Sequence, residues 1–392
     1  MREFVSLRAK NLKPSGIRKF FDMASERKDV ISLGVGEPDF ITPWVIRDAG
    51  IKIVQKGYTQ YTSNKGVLAL REEISSYLKN RFGVKFSADD IVITVGASEA
   101  IDAALRAVVD EGDEILVPDP AYVSYAPCIS LAGGIPVPVG TDGATGFKLT
   151  PDNLEKAITA KTKALIFPYP NNPTGGVMEK EYIQKLIPII LKHDLLVITD
   201  EIYAELSYGE EPFVSAASFP ELEGRVVLIS GFSKSFAMTG WRVGYVCAPK
   251  EIAAALLKIH QYTAICAPIF SQYAALAGLV HERDNGYATV LEMREEYDRR
   301  RKYLYKSLVE AGLTCFEPKG TFYIFPCVKS TGMTGEEFAI RLLNEKKVAV
   351  VPGSAFGEFG KYYVRISYAY SMKNLVEATE RIIEFVKELA KK

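Results

Sequence analysis

Short apolar runs alternate with amphipathic stretches through the middle of this 392-residue chain. Runs rich in β-branched residues and bounded by turn residues predict strands, and apolar positions at helical spacing predict helices between them. The predicted strands are Ile91–Val95, Glu114–Val117, Lys163–Phe167, Leu196–Thr199, Val226–Ile229 and Val243–Cys247, and the predicted helices are Ser98–Val109, Tyr122–Leu131 and Glu179–His193. This alternation favours an α/β fold with a mostly parallel sheet flanked by helices.

The pattern changes after about residue 282. A long charged helix over roughly Tyr287–Ala311 leads into strands that lie further apart. Those strands are predicted over Phe322–Val328, Val348–Val351 and Tyr363–Ser367, with amphipathic helices over Gly335–Leu343 and Leu375–Leu389. We expect a large domain over residues 46–282 and a smaller α+β domain made of residues 1–45 and 283–392.

The long helix contains a basic run, Arg299–Lys302, close to Glu295, Glu296 and Asp298. Acidic and basic side chains at helical spacing pair on the surface of a helix, so we expect a solvated face there. The whole chain carries 48 basic and 48 acidic residues. This balance offers no attraction for nucleic acid or for an anionic membrane.

Cysteine and histidine usage restricts the possible chemistry. The five cysteines are scattered without a Cys-x-x-Cys pair, and the three histidines are not spaced for a metal or for a Ser-His-Asp arrangement. We therefore expect reduced thiols in a cytoplasmic protein and no metal site. No apolar stretch approaches the ~20 residues that span a bilayer, and the N-terminus lacks the apolar core of a secretory signal.

Residues that can carry chemistry follow the predicted strands. Parallel sheets bind ligands beyond the carboxyl ends of their strands, so side chains at these positions meet at one edge. They are Gly96, Ala97 and Ser98 at the start of a helix, Asn172, Asp200, Tyr203, Ser233, Lys234 and Arg242. Taken alone, each has a plain structural alternative, such as a surface lysine, a helix cap for Asp200 or a turn residue for Asn172. Their placement at one sheet edge favours a catalytic site.

Several segments, in order along nearly the whole chain, resemble the class I, fold-type I aminotransferases that depend on pyridoxal 5′-phosphate (PLP). They are Gly34–Phe40, Pro170–Gly175, Asp200–Tyr203, Gly231–Arg242, Phe322–Pro326, Val351–Gly357 and Tyr363–Ser367. One such segment is common by chance, whereas the series in this order is typical of the family. The chain looks most like the archaeal aspartate/aromatic branch. The resemblance implies the PLP-dependent transferase fold, with a mostly parallel mixed sheet in the large domain.

The resemblance also implies a role for each candidate residue. Lys234 holds PLP as a Schiff base and moves the substrate α-proton, while Asp200 keeps the pyridine nitrogen protonated. The 3-oxygen of PLP accepts from Asn172 and Tyr203, and Tyr122 stacks on the ring. The phosphate is bound by Gly96, Ala97, Ser98, Ser233 and Arg242, and the substrate by Gly36, Asn172 and Arg365.

The chemistry of these residue types agrees with such roles. Burial beside another cation lowers the pKa of a lysine, and we expect Arg242 and the protonated ring to act on Lys234 in this way. The planar guanidinium of Arg365 can hold an α-carboxylate through two hydrogen bonds. Gly36 has no side chain, so its backbone N–H can approach the same carboxylate.

A homodimer with shared active sites is a further implication of the resemblance. Tyr61, five residues before Gly66, matches a segment that crosses the subunit interface in relatives. Its hydroxyl can reach the phosphate in the other subunit, and its ring can pack apolar surface at the interface. The alternative is an ordinary loop residue, as most of the 21 tyrosines must be.

The predicted reaction moves an amino group from an L-amino acid to a 2-oxo acid such as 2-oxoglutarate. It proceeds in two half-reactions through one cofactor, which predicts ping-pong kinetics. Ser98 stands where aspartate-selective relatives often have lysine. This difference favours a broad specificity that includes aromatic donors and aspartate.

Other classes of function stay open at this point. A PLP-dependent lyase of the same fold, breaking a C–S bond or forming a cyclopropane, would share these motifs. A non-catalytic effector-binding module would need a helix-turn-helix extension, for which the segment before Gly34 is short. A dinucleotide-binding oxidoreductase is disfavoured because Pro38 follows Gly34-x-Gly36 in place of a Gly-x-x-Gly pattern.

Overall fold

The structure, a computed structural model, describes residues 2–12, 14, 16 and 29–390. Its strands are β1 (Ile31–Ser32), β2 (Ile91–Thr94), β3 (Glu114–Asp119), β4 (Ile135–Gly140), β5 (Thr162–Phe167), β6 (Leu196–Asp200), β7 (Val226–Gly231), β8 (Gly244–Cys247), β9 (Tyr323–Ile324), β10 (Val348–Ala349), β11 (Val351–Pro352) and β12 (Val364–Ser367). Its α-helices are α1 (Leu7–Asn11), α2 (Trp44–Gln55), α3 (Leu68–Phe82), α4 (Gly96–Val108), α5 (Tyr125–Ala132), α6 (Pro151–Ala157), α7 (Lys180–Lys192), α8 (Lys250–Thr263), α9 (Ile269–Asp284), α10 (Ala288–Glu310), α11 (Gly335–Lys346) and α12 (Met372–Leu389). None of these helices combines the length and the apolar composition that crossing a membrane requires.

A seven-stranded mixed sheet lies at the centre of the molecule, in the order β2-β8-β7-β6-β5-β3-β4. From β4 to β7 the neighbouring strands are parallel. Only β8 runs antiparallel to its neighbours in this sheet, β7 and β2. The prediction of a mostly parallel mixed sheet is confirmed.

Both faces of this sheet are covered by helices. In β7, Val227 and Ile229 pack into one core with α4 and α8, while Leu228 packs into another core with α3 and α9. Successive side chains of a strand point to opposite faces, so a strand buried on both sides is apolar at every position. This explains why the run Val226–Ile229 predicts a strand without any alternation. Because these strands are parallel, their carboxyl ends lie together along one side of the sheet, which we call its carboxyl edge.

A second set of elements packs beside the main sheet. β11, β12 and β9 form an antiparallel sheet, and β1 pairs in parallel with β10. Leu33, Tyr297 of α10, Phe338 of α11, Ile366 of β12 and Phe385 of α12 share one apolar core. The residues around β1 therefore pack with the C-terminal part of the chain.

Two differences from the predicted strands have local causes. β4 has no counterpart among the predictions because Pro136 and Pro138 interrupt its pattern, and proline is tolerated there since β4 is an edge strand. The predicted strand Phe322–Val328 is paired as a strand only over Tyr323–Ile324. Pro326 has no N–H with which to continue the ladder.

The basic run in α10 is only partly a solvated face: the expectation holds for Arg299 and Lys302 and is wrong for the two arginines between them. Arg300 and Arg301 are only 6% and 5% exposed. Nη1 of Arg300 donates to Asp39 at 2.9 Å, and Nη1 of Arg301 donates to Glu317 at 2.7 Å. Both arginines lie on the buried stripe of α10 that also holds Tyr297. Ion pairs within the helix, to Glu296 and Asp298, together with those to residues outside it, satisfy their charge there.

Candidate active site

A cavity of about 370 Å³ opens at the carboxyl edge of the parallel strands. It is lined by Gly36, Glu37, Ala97, Ser98, Ile101, Tyr122, Tyr125, Pro170, Asn172, Asp200, Ile202, Tyr203, Ser233, Lys234, Thr239, Arg242, Tyr323 and Arg365. Every residue predicted for the site is among them except Gly96 and Tyr61. Segments that are far apart in the sequence therefore meet at the edge where strand ends were predicted to gather.

Lys234 lies three residues beyond the end of β7. Its Nζ donates to the carbonyl oxygen of Gly36 at 2.6 Å. Desolvation lowers the pKa of Lys234 to about 8, and the guanidinium of Arg365 acts in the same direction, ahead of Arg242. The lowered pKa agrees with the expectation, but the main cationic neighbour is Arg365 and not Arg242. An amine with this pKa has a sizeable neutral fraction near neutrality, as a nucleophile or base requires.

Asp200 is the last residue of β6 and is 6% exposed. Its Oδ2 accepts from the hydroxyl of Tyr125 at 2.7 Å, and its Oδ1 accepts from the backbone N–H of Ile202 at 3.2 Å. Burial raises the pKa of Asp200, against the effects of these hydrogen bonds and of the charge on Lys234. No α-helix begins at this turn, so Asp200 is not a helix cap. A carboxylate buried this deeply gains from a cation placed in the cavity.

Arg365 reaches the cavity from β12 and is 2% exposed. Nη1 donates to Oδ1 of Asn172 at 2.9 Å, and Nη2 donates to the carbonyl oxygen of Gly34 at 2.7 Å. The ring of Tyr323 lies 4.2 Å from the guanidinium carbon. Nε is buried and has no hydrogen-bond partner within the described part of the chain. A guanidinium fixed in this way presents a planar set of donors to a carboxylate.

Tyr323 and Tyr125 belong to the site but were not among the predicted residues. The hydroxyl oxygens of Tyr323 and Tyr203 lie 3.2 Å apart. A Cβ built on Gly36 would lie 2.6 Å from the Tyr323 hydroxyl, so this close approach accounts for glycine at that position. The rings of both missed tyrosines also belong to hydrophobic cores, and an aromatic residue in an apolar stretch of sequence normally signals core packing. The sole signal for Tyr323 was its place in the segment Phe322–Pro326.

The start of α4 and the side chain of Arg242 form a corner suited to an anion. Gly96, the first residue of α4, has a φ of +73°, and a Cβ there would lie 2.7 Å from Nη2 of Arg242. A Cβ on Gly244 of β8 would lie 2.6 Å from the backbone N of Ala97. The first N–H groups of a helix have no partner within the helix, and with a guanidinium beside them they attract a phosphate. The hydroxyl residues Ser98 and Ser233 line the same cavity.

Of two other tyrosines predicted for the site, Tyr122 lies in the cavity and Tyr61 lies outside it. Tyr122 lines the cavity and packs edge to face against Tyr125, with ring centroids 5.6 Å apart. Tyr61 is 78% exposed and does not line the cavity of its own protomer. A role for Tyr61 in catalysis therefore requires a second protomer.

Comparison with known proteins identifies the family. The sequence profile for aminotransferase class I and II matches residues 28–382. The chain is 47% identical to an aspartate aminotransferase of Pyrococcus abyssi over 96% of both chains. It is 43% identical to aromatic-amino-acid aminotransferase 2 of Thermococcus litoralis over 98% of both. The crystal structure of an aromatic aminotransferase from Pyrococcus horikoshii has a TM-score of 0.90 at 45% identity, covering 94% of this chain and 99% of that one.

The chain therefore belongs to the class I and II aminotransferase family. It has the PLP-dependent transferase fold and is a PLP-dependent transaminase. The cavity contains a partner for each reactive group of PLP: an amine of lowered pKa for the aldehyde, a buried carboxylate for the ring nitrogen and an anion-binding corner for the phosphate. The residues of the cavity thus fit the cofactor.

Proposed function

We propose that this transaminase takes amino groups from a broad range of L-amino acids, including aromatic ones and aspartate, and delivers them to a 2-oxo acid such as 2-oxoglutarate. The observation that carries the proposal is an amine of lowered pKa, Lys234, in the same cavity as the fixed guanidinium of Arg365. The guanidinium suits the α-carboxylate that all these substrates share. Ile101 and Tyr122 add apolar surface to the cavity, and Ser98 places no cation there. The named specificities of the relatives also support breadth.

In this proposal each group of the cofactor has its own residues. Lys234 forms the covalent bond to PLP between turnovers, and Asp200 pairs with the ring nitrogen. Asn172 and Tyr203 donate to the 3-oxygen, and Tyr122 packs on the ring. The phosphate is held by Gly96, Ala97, Ser98, Ser233 and Arg242.

When bound, PLP supplies a protonated ring that withdraws electrons from the substrate α-carbon. Arg365 orients the substrate through its α-carboxylate, and the backbone N–H of Gly36 donates to the same group. Nζ of Lys234 takes the α-proton and later returns a proton, which its pKa of about 8 permits near neutral pH. Because one site serves the amino acid and then the 2-oxo acid, we expect ping-pong kinetics.

A panel of single amino donors tests the specificity. The PLP-loaded enzyme is mixed with each donor without a 2-oxo acid, and the cofactor absorbance reports the first half-reaction. Tyrosine and phenylalanine should react, and aspartate should react more slowly. Ser98→Lys is the matched variant, and it should raise the rate with aspartate relative to tyrosine. Activity confined to aspartate and glutamate would overturn the proposed breadth.

We also propose that residues 46–282 form a large cofactor-binding domain and that residues 1–45 and 283–392 form a small one. The seven-stranded sheet lies within residues 91–247, which supports the first unit. The shared core of Leu33 with Tyr297 and Ile366 supports the second. Residues 1, 13, 15, 17–28, 391 and 392 of the small unit lie outside the described part of the chain.

A cytoplasmic location is the proposal for the enzyme in the cell. All five cysteines are free thiols, although four of them are partly accessible. Accessible thiols persist in a reducing compartment and tend to pair in an oxidising one. Fractionation of cells that produce the protein tests this location.

The assembly that we propose is a homodimer in which each protomer completes the site of the other. Ile51, Val54 and Phe270 are 47%, 53% and 41% exposed and line a groove of about 650 Å³. Thr239 lines both this groove and the catalytic cavity. Exposed apolar surface of this kind favours a protein interface. Its continuity with the cavity favours a second copy of the chain, whose Tyr61 would reach the phosphate corner.

Mixing two defective variants tests the shared site. In a heterodimer of Lys234→Ala and Tyr61→Ala chains, one site would hold both defects and the other would hold neither. We expect activity to rise above that of either variant alone, to about a quarter of the wild-type value in a 1:1 mixture that re-associates at random and to about half in purified heterodimer, if each site acts alone. No rise on mixing would place Tyr61 in its own protomer's site or in no site. Sedimentation should give a multiple of the 43.4 kDa chain mass, and a fully active monomer would exclude the assembly.

A further inference from the structure

A buried pair of side chains, His260 and Glu99, lies behind the anion-binding corner. His260 is near the end of α8, which packs along α4, and it is 0% exposed. Its Nδ1 lies 2.6 Å from Oε1 of Glu99, in the first turn of α4. Oε2 of Glu99 accepts from the backbone N–H of Val95 at 2.5 Å. The pair thus connects α8 to the residue that precedes Gly96.

The contact of Glu99 with the Val95 N–H orients the peptide between Thr94 and Val95, directly before the start of α4. Glu99 is the fourth residue of α4, one position beyond the glutamate of a capping box, and it likewise accepts from the N–H of the capping residue. The next residue, Gly96, has a left-handed φ of +73° and lies under the guanidinium of Arg242. Rotation of the peptide between Thr94 and Val95 would change the direction in which the chain enters Gly96, and so turn the first N–H groups of α4 away from the corner.

The chemistry of the pair fixes the proton on His260. A carboxylate can only accept, so Nδ1 must carry the hydrogen in the bond to Glu99. Nε2 is buried and has no hydrogen-bond partner among the described residues. A buried polar atom without a partner is unfavourable, so His260 is poorly explained as a satisfied core residue. Among the residues that the structure describes, the hydrogen-bond partner of its side chain is the carboxylate of Glu99.

Glu99 also introduces an electrostatic conflict. It places a negative charge in the same helix turn that would hold the phosphate, and like charges repel. Glu99 is not among the residues that line the cavity. The hydrogen bond from His260 keeps one carboxylate oxygen on the α8 side, and the Val95 N–H keeps the other at the back of the turn.

We propose that His260 is a positioning residue for cofactor phosphate binding. Acting through Glu99, it fixes the peptide between Thr94 and Val95, which leads into Gly96, and holds the Glu99 carboxylate behind the corner. The inference rests on the proposed phosphate contacts of Gly96 and Arg242. It predicts that loss of the His260 N–H weakens every ligand that carries the phosphate and spares a ligand that lacks it.

Binding to the apoprotein tests this inference without any use of activity. PLP, phosphate-free pyridoxal and inorganic phosphate are titrated into wild-type, His260→Leu and His260→Asn proteins. His260→Leu should bind PLP and phosphate about tenfold more weakly, and pyridoxal as the wild type does. The side-chain N–H₂ of asparagine can replace Nδ1–H, so His260→Asn should recover most of the loss. Equal weakening of PLP and pyridoxal would show a merely structural role and overturn the proposal.

A double-mutant cycle covers the case in which leucine prevents folding. Glu99→Gln removes the charge that His260 restrains, so adding His260→Asn or His260→Leu to it should not weaken phosphate binding further. An undiminished effect in that background would overturn the role through Glu99.

Arg242→Ala separates the proposed phosphate-binding corner from the proposed role of His260. If it leaves phosphate affinity unchanged, both the proposed corner and the role of His260 fail, whereas a loss in Arg242→Ala but not in His260→Leu removes His260 alone.

Discussion

Two arginines face the catalytic cavity, and the structure holds them in contrasting ways. Arg365 is 2% exposed, donates to Asn172 and Gly34, and lies over the ring of Tyr323. Arg242 is exposed, has a left-handed φ of +49°, and donates through Nη1 to the carbonyl oxygen of Thr239. The first guanidinium is therefore ordered before a ligand arrives, whereas the second has most of its donors available.

This difference separates two kinds of binding. A preorganised guanidinium adds affinity without the cost of ordering a side chain, and its removal leaves buried partners unpaired. An exposed guanidinium gains its order from the ligand, and a second protomer placed against the groove would shield it from water. We therefore expect Arg365 to control the amino-acid substrate and Arg242 to control the cofactor.

Of the variants that test this difference, Arg365→Ala should have the largest effect. Removing one partner from a buried charged contact costs about 2–5 kcal/mol, or roughly 30- to 5,000-fold in kcat/KM for every amino donor. The affinity for PLP should stay near that of the wild type. Steady-state kinetics with tyrosine and aspartate measure the first effect, and spectral titration measures the second. Arg365→Lys keeps the charge and should recover only part of the loss. Weaker PLP binding with unchanged kcat/KM would contradict the assignment.

Arg242→Ala should have the opposite profile with a smaller effect. Loss of a charge-assisted hydrogen bond costs about 1.5–3 kcal/mol, or roughly 10- to 150-fold in the Kd for PLP. At saturating PLP, kcat should recover towards the wild-type value. Titration with PLP and with pyridoxal measures the effect, which should be confined to PLP. A loss of kcat that excess PLP does not restore would give Arg242 a role beyond the phosphate.

Both arginines lower the pKa of Lys234, so the pH dependence of apoprotein stability can be used to compare their effects. The ordinary pKa of 10.5 falls to about 8 in the folded chain, so the unfolded chain binds more protons between these values and stability rises with pH there. Below pH 8 the cost of the buried charge, at most roughly 3 kcal/mol, is fully present. Lys234→Met should therefore stabilise the apoprotein below pH 8, with a gain that disappears as the pH approaches 10.5.

Thermal denaturation across this pH range checks that expectation, and the arginine variants sharpen it. Arg365 lowers the pKa of Lys234 more than Arg242 does. The gain from Lys234→Met should hence shrink more in an Arg365→Met background than in an Arg242→Met background. Equal gains in both backgrounds, or a gain that grows with pH, would refute this account.

The smallest expected effect comes from Tyr323→Phe. This change removes the hydroxyl that contacts Tyr203 and keeps the ring beneath Arg365. A single neutral hydrogen bond contributes about 0.5–1.5 kcal/mol, which predicts a decrease of roughly 2- to 13-fold in kcat/KM. Tyr323→Leu removes the ring as well and should cost more through KM. Identical kinetics for the two variants would show that the ring does not support Arg365.

Several site residues could be predicted from the sequence because of their positions relative to the strands. Asn172 and Lys234 follow strands, and Asp200 ends one, whose apolar runs are unambiguous, and parallel strands bring such positions together. Arg365 lies within β12, where an arginine alone gives no sign of a carboxylate clamp. Its role was predicted through the family resemblance.

The residues that sequence reasoning missed depend on contacts between distant segments. Tyr125 and Asp200 are separated by 75 positions, and Tyr203 and Tyr323 by 120. A pattern of local spacing contains no information on such pairs. The antiparallel direction of β8 could not be predicted from the sequence either, since an apolar run has the same periodicity in parallel and antiparallel strands. The burial of Arg300, by contrast, could have been found from its spacing to Tyr297 and Leu304 on one helical stripe.

The residues that line the catalytic cavity extend along the chain from Gly36 to Arg365. No short segment holds the amine, the buried acid and the guanidinium together, so cofactor binding is a property of the complete native fold. A ligand that binds only the native state adds about 2.7 kcal/mol to the free energy of unfolding at a hundredfold excess over its Kd. The supply of PLP in the cell therefore influences how much of this chain stays folded and escapes proteolysis, as well as how much of it is active.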